Sequence, residues 1–388
     1  MAPETDPVPS RRRRGRRALA FGTLVIASVV IAVLLIDLLA FFVFDWKAKG
    51  YAPGRFFVFS PVLGHFHRPS AKGRWYRYGD GTSFLVETNR FGFADSERAV
   101  EKKRPRIALL GDSTTEFWEV EEPDRGQYRL EALLGGRFEV LNFGVRAYGT
   151  DQTYLLFKYV GRFFSPDIAV YLFCINDLAD NASHVQKPYF EIDASEPDGL
   201  ALKGYPIAVH ETKHWLDDHS LTYRLSRAAL SRLWGRMFPK SQPPLDSNET
   251  LRPYKRIYDP EDAERMEVTL RLISRLNALC RANGVRLLVV EGIFQPAQNE
   301  ALRSDVIRRY GDVFDFDKVT RILEQRLTEE EIPFSSLARA AKASGLRPSE
   351  LTNRGDPVHL NKDGIALYAQ TVAEKLRALG WLEDTRAE

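Results

Sequence analysis

Short apolar runs that alternate with helical stretches constrain this 388-residue chain most. Ile107-Ala108-Leu109-Leu110, Phe138-Glu139-Val140-Leu141-Asn142, Ile168-Ala169-Val170-Tyr171-Leu172-Phe173 and Val285-Arg286-Leu287-Leu288-Val289-Val290 are all of strand length. A strand with one wet face alternates apolar with polar residues, and these runs hardly do. They suit strands buried on both faces. Between them the spacing predicts helices over 127–134, over 151–164 and over 260–282, the last closed by Asn283-Gly284 as a C-cap. Such alternation implies an α/β fold with a parallel sheet covered on both sides. Ile332-Pro333-Phe334 marks a short fifth strand, and 337–344 and 362–379 read as the last helices.

The N-terminus is different. Residues 1–17 hold six Arg against Glu4 and Asp6, a net of +4; the whole chain's +3 therefore leaves −1 for residues 18–388. The body has no basic surplus, which argues against nucleic-acid binding. After the Arg cluster comes an apolar run, 18–44, with Asp37 its one ionisable residue. At ~1.5 Å per residue it reaches ~40 Å, enough to cross a bilayer with tilt. A cleaved signal peptide has a shorter apolar core and a small-x-small site, and no convincing one precedes Trp46. We read 18–44 as an uncleaved signal anchor and 1–17 as a cytoplasmic tail, with the rest extracytoplasmic. Asp37 is expected to snorkel at the far interface.

Residues 45–105 form a lead-in, irregular except for a strand over 82–88. From about 182 to 258 the alternation breaks into an insertion containing Pro188, Pro197, Pro206, Pro243 and Pro244. Within it, 221–238 reads as a basic amphipathic helix, with a solvated face preferred over two alternatives: lying on the membrane or lining the active site. Insertions of this kind often form a substrate-binding wall. Cys174 and Cys280 are the only cysteines, and their spacing does not support a disulfide. His65, His67, His210, His214 and His219 lack partners at ligand spacing, so no metal and no cofactor is expected. Asn181-Ala182-Ser183 and Asn248-Glu249-Thr250 match glycosylation sequons, a pattern short enough to arise by chance.

Two short motifs carry chemistry. Gly111-Asp112-Ser113 ends the first apolar run, and Asp356-Pro357-Val358-His359 precedes the last helix. A serine at a strand-to-helix turn presents its hydroxyl above the sheet edge, backed by helix N–H groups. An Asp three residues before a His can reach that ring's Nδ1 and fix its tautomer. Together the three make an activated nucleophile.

With Gly111-Asp112-Ser113-Thr114, Asn142-Phe143-Gly144, Cys174-Ile175-Asn176-Asp177 and Asp356-Pro357-Val358-His359 in order, the chain resembles the SGNH (GDSL-type) hydrolase superfamily over roughly 104–180 and 260–380. Asn89-Arg90-Phe91-Gly92-Phe93 is similar to a segment in its bacterial membrane-anchored members. The resemblance implies a three-layer α/β/α sandwich spanning 106–380, with a flavodoxin-like parallel sheet of about five strands. It also implies a triad of Ser113, His359 and Asp356, and an oxyanion hole from the Ser113 and Gly144 N–H groups and the Asn176 amide. Asp112 is expected to anchor its turn. Cys174 stands where the family has glycine, which puts the local geometry around Asn176 in doubt. Phe117 and Trp118 suit either an acyl pocket or the core.

The function expected is extracytoplasmic hydrolysis of an O-acyl ester, acetyl among the candidates, on a carbohydrate or lipid-linked envelope substrate. Envelope-polysaccharide machinery is the expected setting, and the lipid bilayer is a partner through 18–44. Two alternatives stay open: an O-acyltransferase using the same acyl-Ser113, and a non-catalytic glycan-binding or scaffold protein.

Overall fold

The computed structural model describes residues 11–44, 56–77, 81–207, 216, 220–237 and 249–383. His210, His214, His219 and Asn248 lie outside them. Eleven strands occur among the described residues: β1 (Phe57–Ser60), β2 (Gly64–His67), β3 (Lys72–Tyr76), β4 (Ser83–Glu87), β5 (Arg106–Leu110), β6 (Glu139–Asn142), β7 (Ile168–Phe173), β8 (Tyr189–Ile192), β9 (Leu200–Lys203), β10 (Arg286–Glu291) and β11 (Phe334–Ser336). The helices used below are α1 (Arg11–Phe44), α2 (Ser113–Glu116), α3 (Gly126–Leu133), α4 (Thr150–Tyr159), α5 (Asp177–Asn181), α6 (Leu221–Met237), α7 (Pro260–Ala282), α8 (Glu300–Tyr310), α9 (Lys318–Glu329), α10 (Leu337–Ala343) and α11 (Lys362–Ala378).

Five strands form one parallel sheet in the order β11-β10-β7-β5-β6. This is the flavodoxin-like order expected. Side chains alternate between two cores, as a strand requires. Ala108, Leu110, Tyr171, Phe173, Leu287 and Val289 pack under α4, α7 and α9. Ile107, Leu109, Val170, Leu172, Leu288 and Val290 pack under α3, α10 and α11. That two-sided burial is why the runs read as continuously apolar. α7 starts where Asp259 accepts from the Asp262 N–H at 2.8 Å with Pro260 at its first position, and stops at Asn283 followed by Gly284 at φ 70°.

The structure differs from expectation in four places. The fifth strand is β11, starting past Pro333, whose carbonyl accepts from Val289 at 3.0 Å. The helix expected over 151–164 stops at Tyr159 and tightens into a 3-10 turn, Gly161–Phe164. The lead-in is two hairpins, β1–β2 and β3–β4, rather than mostly irregular. Only β4, inside the strand expected over 82–88, announced itself; the other three strands, of four or five residues, are too short to show a period. Part of the insertion also joins the core, because the β8–β9 hairpin buries Phe190 and Leu200 against α4 and α7.

α1 contains a 21-residue apolar stretch, Leu19–Leu39, long and apolar enough to cross a membrane, with its side chains exposed in the protein.

Arg106 fastens the lead-in to the sheet. It is 1% exposed, bonds Glu139 at 2.6 Å, and donates to the carbonyls of Ala99, Val100, Glu101 and Phe164 at 2.7–2.9 Å. Arg106→Met should leave the largely buried Glu139 and four carbonyls short of their donor, at a cost of about 3–5 kcal/mol. Urea unfolding of the variant checks this, and a loss below about 1 kcal/mol would contradict it.

Candidate active site

β5 delivers the serine. Gly111, at φ 151°, has no room for a side chain: a Cβ would run into Thr115 Oγ1 and lie 3.0 Å from the Leu172 carbonyl. Asp112 then caps α2, accepting from the Thr114 N–H at 2.8 Å and the Thr114 hydroxyl at 2.7 Å. Ser113 follows as the first helical residue, 8% exposed.

The loop before α11 delivers the other two. It is closed by a bridge between Thr352 and Leu360 and by Asn353, whose N–H donates to the His359 carbonyl at 2.9 Å. Gln295 pins it from the β10 side through the Pro357 carbonyl at 2.9 Å. His359 Nε2 lies 2.8 Å from Ser113 Oγ, and its Nδ1 lies 2.7 Å from Asp356 Oδ2. Asp356 Oδ1 also accepts from the Val358 and His359 N–H groups at 3.1 and 3.0 Å. Burial pushes the Asp356 carboxyl up, but these bonds outweigh it and hold the group below its ordinary range. Residues 246 positions apart thus form one relay.

Glu119, which the motifs did not point to, bears on that relay. Burial lowers the His359 pKa, but the charge of Glu119, then the bond and charge of Asp356, raise it to about 9, with Arg146 opposing. Glu119 is held by Arg146 Nη2 at 2.6 Å. The same guanidinium reaches Glu116 at 2.9 Å and lies 4.4 Å over the Trp75 ring. Glu116 is fully buried and pairs with His67 Nε2 at 2.7 Å. Burial favours the neutral Glu116 acid; Arg146 and His67 reverse that and keep it ionised. His67 belongs to the lead-in, as does Arg77, which donates to Asn353 Oδ1 at 2.9 Å in the histidine loop. No sequence signal joined the lead-in to the site.

The expected oxyanion donors fare unequally. The Ser113 N–H has no acceptor among the described residues. The Gly144 N–H donates to Asn142 Oδ1 at 2.8 Å and is occupied. Glycine is needed there for space: a Cβ would lie 2.6 Å from the Glu116 nitrogen and 2.7 Å from the Thr115 carbonyl carbon. Asn176 Nδ2 donates to Asp112 Oδ2 at 2.9 Å and Asp180 Oδ2 at 2.8 Å, so both its protons are taken. The physical reason is general: buried polar groups pair with whatever is near. Burial raises Asp180 to about 6, against the bond from Asn176. Ala147, beside Arg146, sits at φ 60° with its N–H unbonded among the described residues, a donor that the spacing did not mark.

Cys174 is 3% exposed and burial pushes its thiol well up, which keeps it neutral; both cysteines are free. Phe117 and Trp118 are core: Phe117 faces Tyr368, and Trp118 sits among Phe56, Phe57, His67 and Trp75. Asn181 is 2% exposed and bonded to Thr150 and Thr269, closed to glycosylation as folded. No cluster able to hold a metal ion occurs among the described residues.

No protein-family model and no curated protein matches the chain. Solved structures that match include a GDSL-like lipase from Bacteroides thetaiotaomicron, 13% identical over 73% of this chain and 93% of that one, with a TM-score of 0.38. A lipase/acylhydrolase from Enterococcus faecalis matches at 12% identity over 71% and 96%, TM-score 0.39. A carbohydrate acetylesterase family member from Sinorhizobium meliloti matches at 13% over 71% and 98%, TM-score 0.36.

Two outcomes test the site. A base must be neutral to accept a proton, so ester-cleaving kcat/KM should rise with pH through an inflection near about 9. Glu119→Gln removes a negative charge beside the imidazolium, so the inflection should move to lower pH; an unmoved profile would show that the charge does not act there. Gly144→Ala drives a methyl into the backbone of α2 and should lower stability by about 1–3 kcal/mol. The displaced Ser113 should cost roughly 10²-fold in kcat, read by stopped assay beside thermal melting.

Proposed function

We propose that this chain is an SGNH-type serine esterase that removes an O-acyl group from a carbohydrate or lipid-linked envelope molecule. The observation that carries the reading is the unbroken relay from Ser113 through His359 to Asp356. Its place supports it: the serine follows β5 and Asn176 follows β7, adjacent strands at which the sheet order reverses.

The steps use this chain's own groups. Neutral His359 takes the Ser113 proton on Nε2 as Oγ bonds to the ester carbonyl carbon. Asp356 accepts from Nδ1–H throughout and stabilises the imidazolium. The Ser113 N–H meets the developing oxyanion, and an Asn176 proton joins it when the oxyanion displaces Asp180 as acceptor. The tetrahedral adduct collapses, the ester C–O bond breaks, and His359 gives its proton to the leaving alcohol. Water, deprotonated by His359, then attacks the acyl-serine and releases the acid. The Arg cluster at 11–17 before Leu19–Leu39 supports an anchor with the tail inside and the site outside the cytoplasm.

Full-length protein should hydrolyse short-chain nitrophenyl esters, and Ser113→Ala should lose roughly 10⁴-fold or more in kcat. Because the two groups act as a unit, adding His359→Ala to that variant should cost little further. Full activity in Ser113→Ala would end the assignment. Product analysis with an added oligosaccharide shows whether water or a sugar hydroxyl takes the acyl group.

A further inference from the structure

Asp37, the one charged residue in the apolar run of α1, does not simply snorkel. Its Oδ1 accepts from the Thr222 N–H at 2.8 Å and from the Thr222 hydroxyl at 2.9 Å. Thr222 is in the first turn of α6, where N–H groups lack partners within the helix. A carboxylate there satisfies one of them and complements the positive end of the helix. So the insertion, 185 residues further along the chain, is tied to the apolar helix at a defined height. From Leu19 to Asp37 is ~27 Å at 1.5 Å per residue, close to the ~30 Å of a hydrocarbon layer. α6 therefore starts at the far boundary of the span.

α6 has the surface for that place. Leu225, Leu230, Leu233, Trp234 and Met237 are 52–66% exposed, which fits the membrane-lying alternative better than the preferred solvated face. In helical projection, positions 230, 233, 234 and 237 fall on one side. The 17 residues include four Arg and no acid. An apolar face on a helix whose charged residues are all cationic marks a helix lying in a membrane interface, and charge of that sign favours anionic lipid. A water-exposed helix has no use for four largely exposed apolar side chains on one side, beside a membrane-length apolar helix.

We propose that α6 is an interfacial helix, embedded along the anionic surface of the bilayer that α1 crosses, and held there by the Asp37–Thr222 cap. The proposal rests on reading Leu19–Leu39 as a span. It fixes the catalytic domain to the membrane at two elements instead of one.

Full-length protein in lipid nanodiscs containing phosphatidylglycerol tests it. Cys174 and Cys280 are buried, so a single added cysteine can carry a polarity-sensitive fluorophore. Leu230→Cys probes α6, Val30→Cys probes α1, and Ser304→Cys probes exposed α8. The Leu230 label should be quenched about threefold or more better by acyl-brominated lipid than by aqueous iodide, as should Val30, with Ser304 the reverse. A Val30 label in lipid with a Leu230 label in water would overturn the α6 proposal and leave the anchor intact. A Val30 label in water would overturn the anchor reading and this proposal with it. Equal insertion after phosphatidylglycerol is replaced by phosphatidylcholine would refute the preference for anionic lipid.

Discussion

The pairing of β5 with β7 is the constraint on which the rest depends. Both strands are buried on both faces, and they run parallel from Ile107 opposite Ile168 to Leu110 opposite Tyr171. The chain leaves β5 toward β6 on one side, and leaves β7 toward β10 on the other. Crossovers that diverge in this way open a crevice at the carboxyl ends of the two strands. Asp112 and Asn176, which emerge there, are joined by a hydrogen bond of 2.9 Å. Gly111 makes the join possible, because any side chain would strike α2 and the end of β7.

Charge is the second organising force. Around the serine helix lie Glu116, Glu119, Arg146 and His67, nearly all out of water. Leaving one such group unpaired is costly, so each has a partner, and the partners come from distant segments. The lead-in is thereby part of the site. His67 steadies Glu116, Arg146 steadies both acids, and Glu119 biases His359 toward the imidazolium. Asp37 extends the same logic to α1, since a carboxylate in an apolar helix found the N-terminus of another helix.

Legibility in sequence followed the range of each interaction. The sheet strands were readable because two-sided burial leaves a local mark, as in Ile168–Phe173. Ser113, Asp356 and His359 were readable because their turn and their three-residue spacing are local too. β2 and β3 were missed because short strands with Gly, Lys and His carry little pattern, and β1 because four residues are too few to show a period. Gly144 was marked by its motif as an N–H donor; in the structure that N–H bonds Asn142 Oδ1, and close packing on α2 demands glycine there.

By itself the sequence determined the α/β class, the membrane-length apolar stretch and the three residues, Ser113, His359 and Asp356, that the fold joins in one relay. Backbone patterning and short-range spacing encode those, and both survive in one dimension. Only the tertiary structure decided how the relay is biased and which donors are free. Glu119 next to His359, Asp180 and Asp112 on Asn176, and Asp37 on Thr222 are contacts between segments far apart in the chain. Their energies come from burial and through-space charge, and neither can be read before the chain has closed on itself.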